Sequence, residues 1–248
     1  MIRARALTLA LLAAALAALM GCSVLGSRAT APSPAPGTTS PAPAAPSPSL
    51  PSTGTPPGAP PAAPVATAPT PDPAERTRPS RLSLPAIGIE DLRVVPYEGT
   101  TDDTPGTRIQ DRGVAASPYG KGGGVGPGEV GNFLVTAHRL SAGGPLRDLP
   151  EVKKGDSVSV RAADGTVYTY EIVETRQTSF RSERSLAEQR AAVPGEPGVK
   201  PTKAMITIST CATPEDDAAG NFWRDENGNP EHRIDKIGVL TSTRPAAS

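Results

Sequence analysis

A long run of proline, alanine, serine and threonine, from Ser23 to about Arg78, limits what this chain can fold into. The chain has 248 residues and 30 prolines, and more than half of these prolines lie in that run. The run shows neither the two-residue nor the 3.6-residue hydrophobic period, so it has no apolar face with which to build a core. We therefore predict a disordered stalk over residues 23–78, a folded domain over residues 79–243 and a disordered tail at 244–248.

The first 22 residues have the pattern of an export signal. Arg3 and Arg5 precede an uncharged alanine- and leucine-rich run, Ala6 to Met20, which is short of the roughly 20 residues that span a bilayer. The run ends in LMGC, which resembles a lipobox, so we predict a signal peptide over residues 1–22 with lipidation at Cys22. A plain secretory signal and an uncleaved anchor are the alternatives. Each places the folded domain outside the cytoplasm, tethered or released at the outer face of the membrane.

The folded segment consists mainly of short apolar stretches separated by Gly and Pro. Gly131–Ala137, Ala204–Cys211 and Arg233–Leu240 are predicted strands, and Asp164–Gly165 is a strong turn signal between two arms of a hairpin. A short helix is predicted over Arg184–Ala192. Many short strands with little helix favour a mainly β fold, which we expect to be a closed or nearly closed antiparallel barrel.

The composition and the motifs exclude several classes of function. The formal net charge is zero, and no run of Lys and Arg could follow a phosphate backbone, so no nucleic-acid partner is expected. The glycine-rich stretch GGGVGPG lacks the Lys-Ser/Thr ending of a phosphate-binding loop. No G-x-S-x-G motif marks a serine nucleophile.

Cys211 is the candidate nucleophile because it ends a strand and lacks a partner. The chain has only one other cysteine, Cys22, and lipidation there would leave Cys211 as a free thiol in an oxidising compartment. A buried structural cysteine is the alternative interpretation. His138 also follows a strand directly, and an imidazole can accept the thiol proton.

Arg233 opens the last strand and is a candidate for stabilising a developing oxyanion. His232 is the rival histidine, but neighbouring strand residues point to opposite faces, so only one of the two can face Cys211. A zinc site built from these side chains and Asp216 or Asp217 is disfavoured because the tight ligand spacings are missing. We expect no metal and no other cofactor.

Five stretches in this order, GNFLVTAHR, PLRDLPEVKKGDSVSV, YTYEIVET, ITISTC and HRIDKIGVL, resemble the sortase family. The resemblance extends over most of Leu82 to Leu240, and the pattern is closest to the class E sortases of actinobacteria. It implies an eight-stranded sortase-type β-barrel with short helices in its loops. It also implies that His138, Cys211 and Arg233 are catalytic and that Thr210 contacts substrate.

The resemblance further implies the reaction and the partners. The enzyme would be a cysteine transpeptidase that cleaves a C-terminal sorting signal of LPxTG or LAxTG type through a thioacyl intermediate. An amine of a cell-wall (peptidoglycan) precursor or of a pilin would then accept the surface protein. Two alternatives remain: a papain-like peptidase, in which the Cys usually precedes the His, and a catalytically degenerate sortase-like lipoprotein that acts as a scaffold or binding module.

Overall fold

The computed structural model describes residues 72–246. The predicted signal peptide, the lipidation site at Cys22, the linker up to residue 71 and the last two residues lie outside this range. The strands and helices are β1 Ser80–Leu84, β2 Ile89–Glu98, α1 Thr104–Gln110, β3 Ala115–Tyr119, β4 Gly131–Thr136, β5 Ser157–Arg161, β6 Val167–Ser179, α2 Glu183–Arg190, β7 Ala204–Cys211, α3 Thr213–Ala218 and β8 His232–Arg244. Three 3₁₀ turns are at Pro73–Thr77, Pro85–Ile87 and Leu149–Glu151.

The eight strands form a closed barrel in the order β1-β2-β3-β4-β7-β8-β6-β5, with β5 pairing back to β1. The prediction of a mainly β, closed eight-stranded barrel is confirmed. The expectation of purely antiparallel pairing is wrong, because β2 pairs with β3 and β4 with β7 in parallel. Parallel neighbours need a long crossover, which α1 supplies for the first pair and the β5–β6 hairpin for the second.

Local sequence patterns predicted several element boundaries closely. Strand β7 spans the predicted Ala204–Cys211, and the Asp164–Gly165 turn joins β5 to β6. Asp164 closes this turn by accepting a hydrogen bond from the Thr166 backbone N–H at 2.8 Å. Strand β8 starts one residue earlier than predicted and continues to Arg244, because its second half pairs with the long strand β6.

Strand β7 is buried on both of its faces, and this burial positions the candidate site. Ile206 and Ile208 point into the barrel core, which the structure fills with Leu, Val, Ile and Tyr side chains. The alternate residues Thr207, Ser209 and Cys211 point outward but are also buried. The outward face of β7 is therefore covered by other parts of the chain rather than by solvent.

Gly128 is required where the β3–β4 connection passes the barrel wall. Its backbone N–H donates to the Tyr170 hydroxyl at 2.7 Å, its φ is +76°, and an added Cβ would collide with the buried ring of Tyr168. We expect Gly128→Ala to lower the free energy of unfolding by about 2–4 kcal/mol, from backbone strain plus overpacking. Gly220→Ala is the matched control, because Gly220 has φ +77° and open space around it. Chemical denaturation that gives equal losses for the two variants would contradict the packing argument.

The N-terminal 3₁₀ turn is fixed to the barrel although it falls within the predicted linker. Glu75 is buried and accepts hydrogen bonds from the backbone N–H groups of Ala163 and Asp164, at 2.8 and 3.2 Å. These residues lie in the β5–β6 turn. The β6–β8 register pairs Val167 with Arg244, so this turn is at the end of β8 farthest from its first residues. The described chain thus joins the barrel at the end opposite to Cys211.

Candidate active site

Cys211 and Arg233 are brought together by the register of β7 and β8. The two residues are directly paired across these antiparallel strands, so their side chains lie on the same face. The Arg233 Nη1 donates a hydrogen bond to the Cys211 Sγ. Cys211 is a free thiol with only 9% of its surface exposed.

The Arg233 guanidinium is held on several sides. Its Nη2 forms an ion pair with Asp102 Oδ1 at 2.6 Å, and its Cζ lies 4.3 Å from the centre of the Phe180 ring. Its Nε is buried and has no hydrogen-bond partner among the described residues. The guanidinium is thus a fixed cation beside the thiol, with one donor left unpaired by the described residues.

Asp102 is a site residue that the sequence did not single out. It lies in the loop between β2 and α1, and 3% of its side chain is exposed. Its φ of +65° is the left-handed conformation, which costs a non-glycine residue about 1 kcal/mol. The following Asp103 caps α1 by accepting from the Gly106 N–H at 2.8 Å. This capping signal could have located the loop, but not its contact with Arg233.

His138 lies two residues beyond β4 and lines the same cleft as Cys211. Its Nε2 is 2.9 Å from Asp111 Oδ1, at the C-terminal end of α1, and 13% of its side chain is exposed. No hydrogen bond joins the side chains of His138 and Cys211, both of which the structure describes. The cleft between them is bordered by the loop that precedes β8, at residues 227–230.

His232 is directed away from this cleft. Its Nδ1 is 2.7 Å from Asp216 Oδ1, and its backbone N–H donates to Asp216 Oδ2 at 3.0 Å. Asp216 is itself buried in α3. The His232–Asp216 pair therefore connects the start of β8 to α3, while the next residue, Arg233, faces Cys211.

Thr210 is placed in a supporting position. Its side chain is buried and its hydroxyl donates to the Ala137 carbonyl oxygen at 2.8 Å. This bond links β7 to the residue immediately before His138. The hydroxyl therefore connects the strand that ends in Cys211 to the segment that carries His138.

Arg139 is a second residue of the site that sequence reasoning did not assign. Its guanidinium contacts both carboxylate oxygens of Glu215, at 2.6 and 3.0 Å, and its Nε donates to the Arg147 carbonyl at 2.9 Å. Its Nη1 also reaches the backbone oxygen of Cys211 at 3.4 Å. The hydrogen bonds from Arg139 lower the pKa of the Glu215 carboxyl. This buried arginine thus holds the turn after Cys211 against the turn after β4.

Burial raises the pKa of the Cys211 thiol. The adjacent Arg233 opposes this effect, whereas the negative charge of Asp102 adds to it. The net direction, with burial as the largest cause, favours the neutral, protonated thiol. The site therefore needs a base, or a change around Arg233, to form the thiolate.

Two further observations concern metal binding and membrane-spanning helices. Within residues 72–246, no cluster of three or more His, Cys, Asp or Glu side chains is arranged to hold a metal ion. Over the same residues, no helix has the length and apolar character needed to cross a membrane.

A closed β-barrel that places a cysteine and a histidine in one cleft, with an arginine hydrogen-bonded to the cysteine, has the arrangement of a cysteine transpeptidase. The family model described as Sortase domain matches residues 82–222, more than half of the chain. The chain therefore belongs to the sortase family. Sortases act on sorting-signal substrates and amine acceptors, so this membership places the chain among the sortase-type transpeptidases.

Solved sortase structures share the fold. Sortase E1 of Streptomyces coelicolor, solved with a tripeptide in its active site, is 21% identical with a TM-score of 0.51, covering 68% of this chain and 91% of its own. The SrtA sortase of Actinomyces oris is 20% identical with a TM-score of 0.50, covering 67% and 81%. Likeness at this level of identity establishes the fold and no finer property. No curated protein matches the chain significantly.

Proposed function

We propose that this sortase cleaves a C-terminal sorting signal of LPxTG or LAxTG type and transfers the protein to an amine of a cell-wall precursor or a pilin. The observation that carries the proposal is the pairing of Cys211 with Arg233, in a cleft that His138 also lines. Arg233 donates to Sγ and is fixed by Asp102, so its positive charge lies beside the nucleophile, where negative charge develops in the reaction.

The proposed reaction begins from the neutral thiol. His138 accepts the Cys211 proton, and the thiolate attacks the carbonyl carbon of the Thr–Gly bond while Arg233 stabilises the oxyanion. The C–N bond breaks, the leaving amine takes the proton from His138, and a thioester remains on Cys211. An acceptor amine then attacks this thioester, passes a proton back through His138 and regenerates the thiol. Thr210 supports this exchange by linking β7 to the segment before His138.

The sorting motif, the export signal, the tether and the linker are part of the same proposal. The sequence pattern resembles class E sortases, which favours LAxTG-like over LPxTG-like signals. We further propose that the N-terminal 22 residues export the chain, that Cys22 or an uncleaved anchor tethers it to the outer face of the membrane, and that residues 23–78 act as a linker before the catalytic domain. No cofactor enters the mechanism.

The experiment is a mass spectrum of the purified protein after incubation with LAxTG and LPxTG peptides. We expect a thioester adduct on Cys211 that corresponds to the peptide without its C-terminal glycine portion, and its release by hydroxylamine. A larger adduct fraction with the LAxTG peptide would support the class E assignment. If Cys211 reacts with a small thiol reagent but forms no adduct with either peptide, the scaffold alternative is favoured.

A further inference from the structure

A buried polar network continues from the active site beneath helix α2. Gln189, on α2, is 5% exposed, and its Nε2 lies 3.0 Å from Asp235 Oδ1 and 3.3 Å from Ser209 Oγ. Asp235 also accepts a hydrogen bond from the Thr178 hydroxyl at 2.6 Å. Ser209 and Asp235 are on the same strands as the site residues, each two positions from Cys211 or Arg233. Helix α2 is therefore bound directly to both catalytic strands.

The same helix holds the loop between β2 and α1 through one residue, Thr101. The Thr101 hydroxyl donates to Gln189 Oε1 at 2.9 Å and accepts from Arg190 Nε, also at 2.9 Å. The Thr101 carbonyl accepts from Arg190 Nη2 at 3.0 Å. Thr101 is only 1% exposed, so these bonds are made away from solvent. The next residue along the chain is Asp102, the counterion of Arg233.

These contacts form a closed ring that starts and ends on β8. It runs from Asp235 to Gln189, then to Thr101, through the backbone to Asp102, and back to Arg233. The backbone of Asp102 is in a left-handed conformation, which needs surrounding contacts to hold it. The Thr101 bonds to α2 hold it from the preceding residue, as the Asp103 cap of α1 holds it from the following one.

We propose that Thr101 is a positioning residue of the active site: clamped by Gln189 and Arg190, it holds Asp102 on Arg233 and so fixes how the guanidinium faces Cys211. This deepens the proposed function and rests on it for the role of Arg233. The Thr101 side chain itself does not contact Cys211 or line the cleft that holds it. Its effect on the thiol passes entirely through Asp102 and Arg233.

The direction in which the pKa of the Cys211 thiol should change follows from the charges around it. The charged or titratable side chains around Cys211 come from four segments: Asp102 from the β2–α1 loop, His138 and Arg139 from the turn after β4, Asp225 from the β7–β8 loop and Arg233 from β8. The carboxylate of Asp102 raises the thiol pKa. When it leaves Arg233, the guanidinium keeps its stacking contact with Phe180 but loses the ion pair that sets its orientation, and the thiolate becomes its remaining anionic partner. The thiol pKa then falls.

The experiment uses the full chain and measures the rate of Cys211 alkylation by iodoacetamide against pH. Thr101→Val keeps the shape of the side chain and removes the hydroxyl. We expect its alkylation rate at acidic pH to rise about threefold to tenfold, because more of the thiol is ionised. We expect kcat/KM for peptide transfer to fall roughly tenfold to a hundredfold, because Arg233 is less well oriented toward the substrate.

Two control variants separate positioning from a loss of stability. Thr166→Val removes another buried hydroxyl, one that donates to Asp164 Oδ2 at 2.9 Å in the β5–β6 turn, away from the ring, so it should lower the melting temperature without changing the alkylation profile. Thr101→Ser restores the hydroxyl and should restore the wild-type profile. If Thr166→Val accelerates alkylation as much as Thr101→Val does, general loosening explains the effect and the proposal is overturned.

A double-mutant cycle tests whether Thr101 acts through Asp102. Asp102→Asn removes the negative charge and should accelerate acidic alkylation by itself. Thr101→Val should then add little in the Asp102→Asn background, because residues that act through one contact are not additive. Additive effects, or no change from Thr101→Val alone, would overturn the proposal. Since alkylation needs no sorting peptide, these results are independent of whether the protein performs transpeptidation.

Discussion

Replacing Cys211 with alanine is expected to remove all peptide transfer and all adduct formation. The proposed reaction passes through a thioester, and no other side chain that lines the cleft has a thiol. Loss of the nucleophile should lower kcat by on the order of 10⁴-fold or more, as for nucleophile deletions in proteases. The measurement is release of a fluorescent leaving group from a sorting peptide, with the adduct followed by mass spectrometry.

The matched control is Cys22→Ala, which changes the only other cysteine in the chain. Turnover of a soluble peptide should be unchanged in this variant, since Cys22 has no role in the proposed chemistry. Adduct formation that persists in Cys211→Ala, or disappears in Cys22→Ala, would show that the nucleophile is assigned to the wrong cysteine.

Replacing His138 with glutamine is the second large effect, with kcat/KM expected to fall by about 10²- to 10⁴-fold. Glutamine can keep a hydrogen bond to Asp111, but it cannot carry the proton between the thiol, the leaving amine and the acceptor. Steady-state kinetics measure the loss. Single-turnover adduct formation should be slowed as well, because the thiol rests in its protonated form and its proton must be removed first.

His232→Gln provides the comparison for this variant. His232 pairs with Asp216 and does not line the cleft. Its replacement should lower stability by breaking the link between β8 and α3, while kcat/KM per folded molecule stays within about threefold of wild type. If His232→Gln abolishes turnover and His138→Gln does not, the assignment of the acid/base is reversed.

The parts of the structure that follow local rules could be predicted from the sequence. The apolar run of β7 and the Asp164–Gly165 turn each have a short-range signal, and the structure places both where the sequence does. The parallel pairing of β4 with β7 has no such signal. It depends on which strands meet after about 70 intervening residues, and nothing in either strand's own pattern encodes its partner.

The same contrast between local signals and long-range contacts applies to the candidate site. Cys211, His138 and Arg233 were found because each stands at a strand end and has reactive chemistry. Asp102 was not found, because its contact with Arg233 joins residues 131 apart through a loop without periodicity.

Helix α2 illustrates a second limit of sequence reasoning. Its residues were predicted as a short helix, Arg184–Ala192, within a polar stretch, yet Gln189 is buried. A glutamine in a polar helix carries no signal of burial in the sequence. Only the opposing strands, with Ser209 and Asp235 facing outward, make its amide a connecting group.

The attachment of Glu75 to the β5–β6 turn has a consequence for how this enzyme can meet its targets. The described chain joins the barrel at the end of β8 marked by Arg244, and the nucleophile is beside Arg233 at the other end. Eleven residues of strand separate the two, or roughly 36 Å. The barrel itself therefore separates the first described residues from the nucleophile. Cys211 thus lies at the end of the barrel opposite to the one at which the described chain begins.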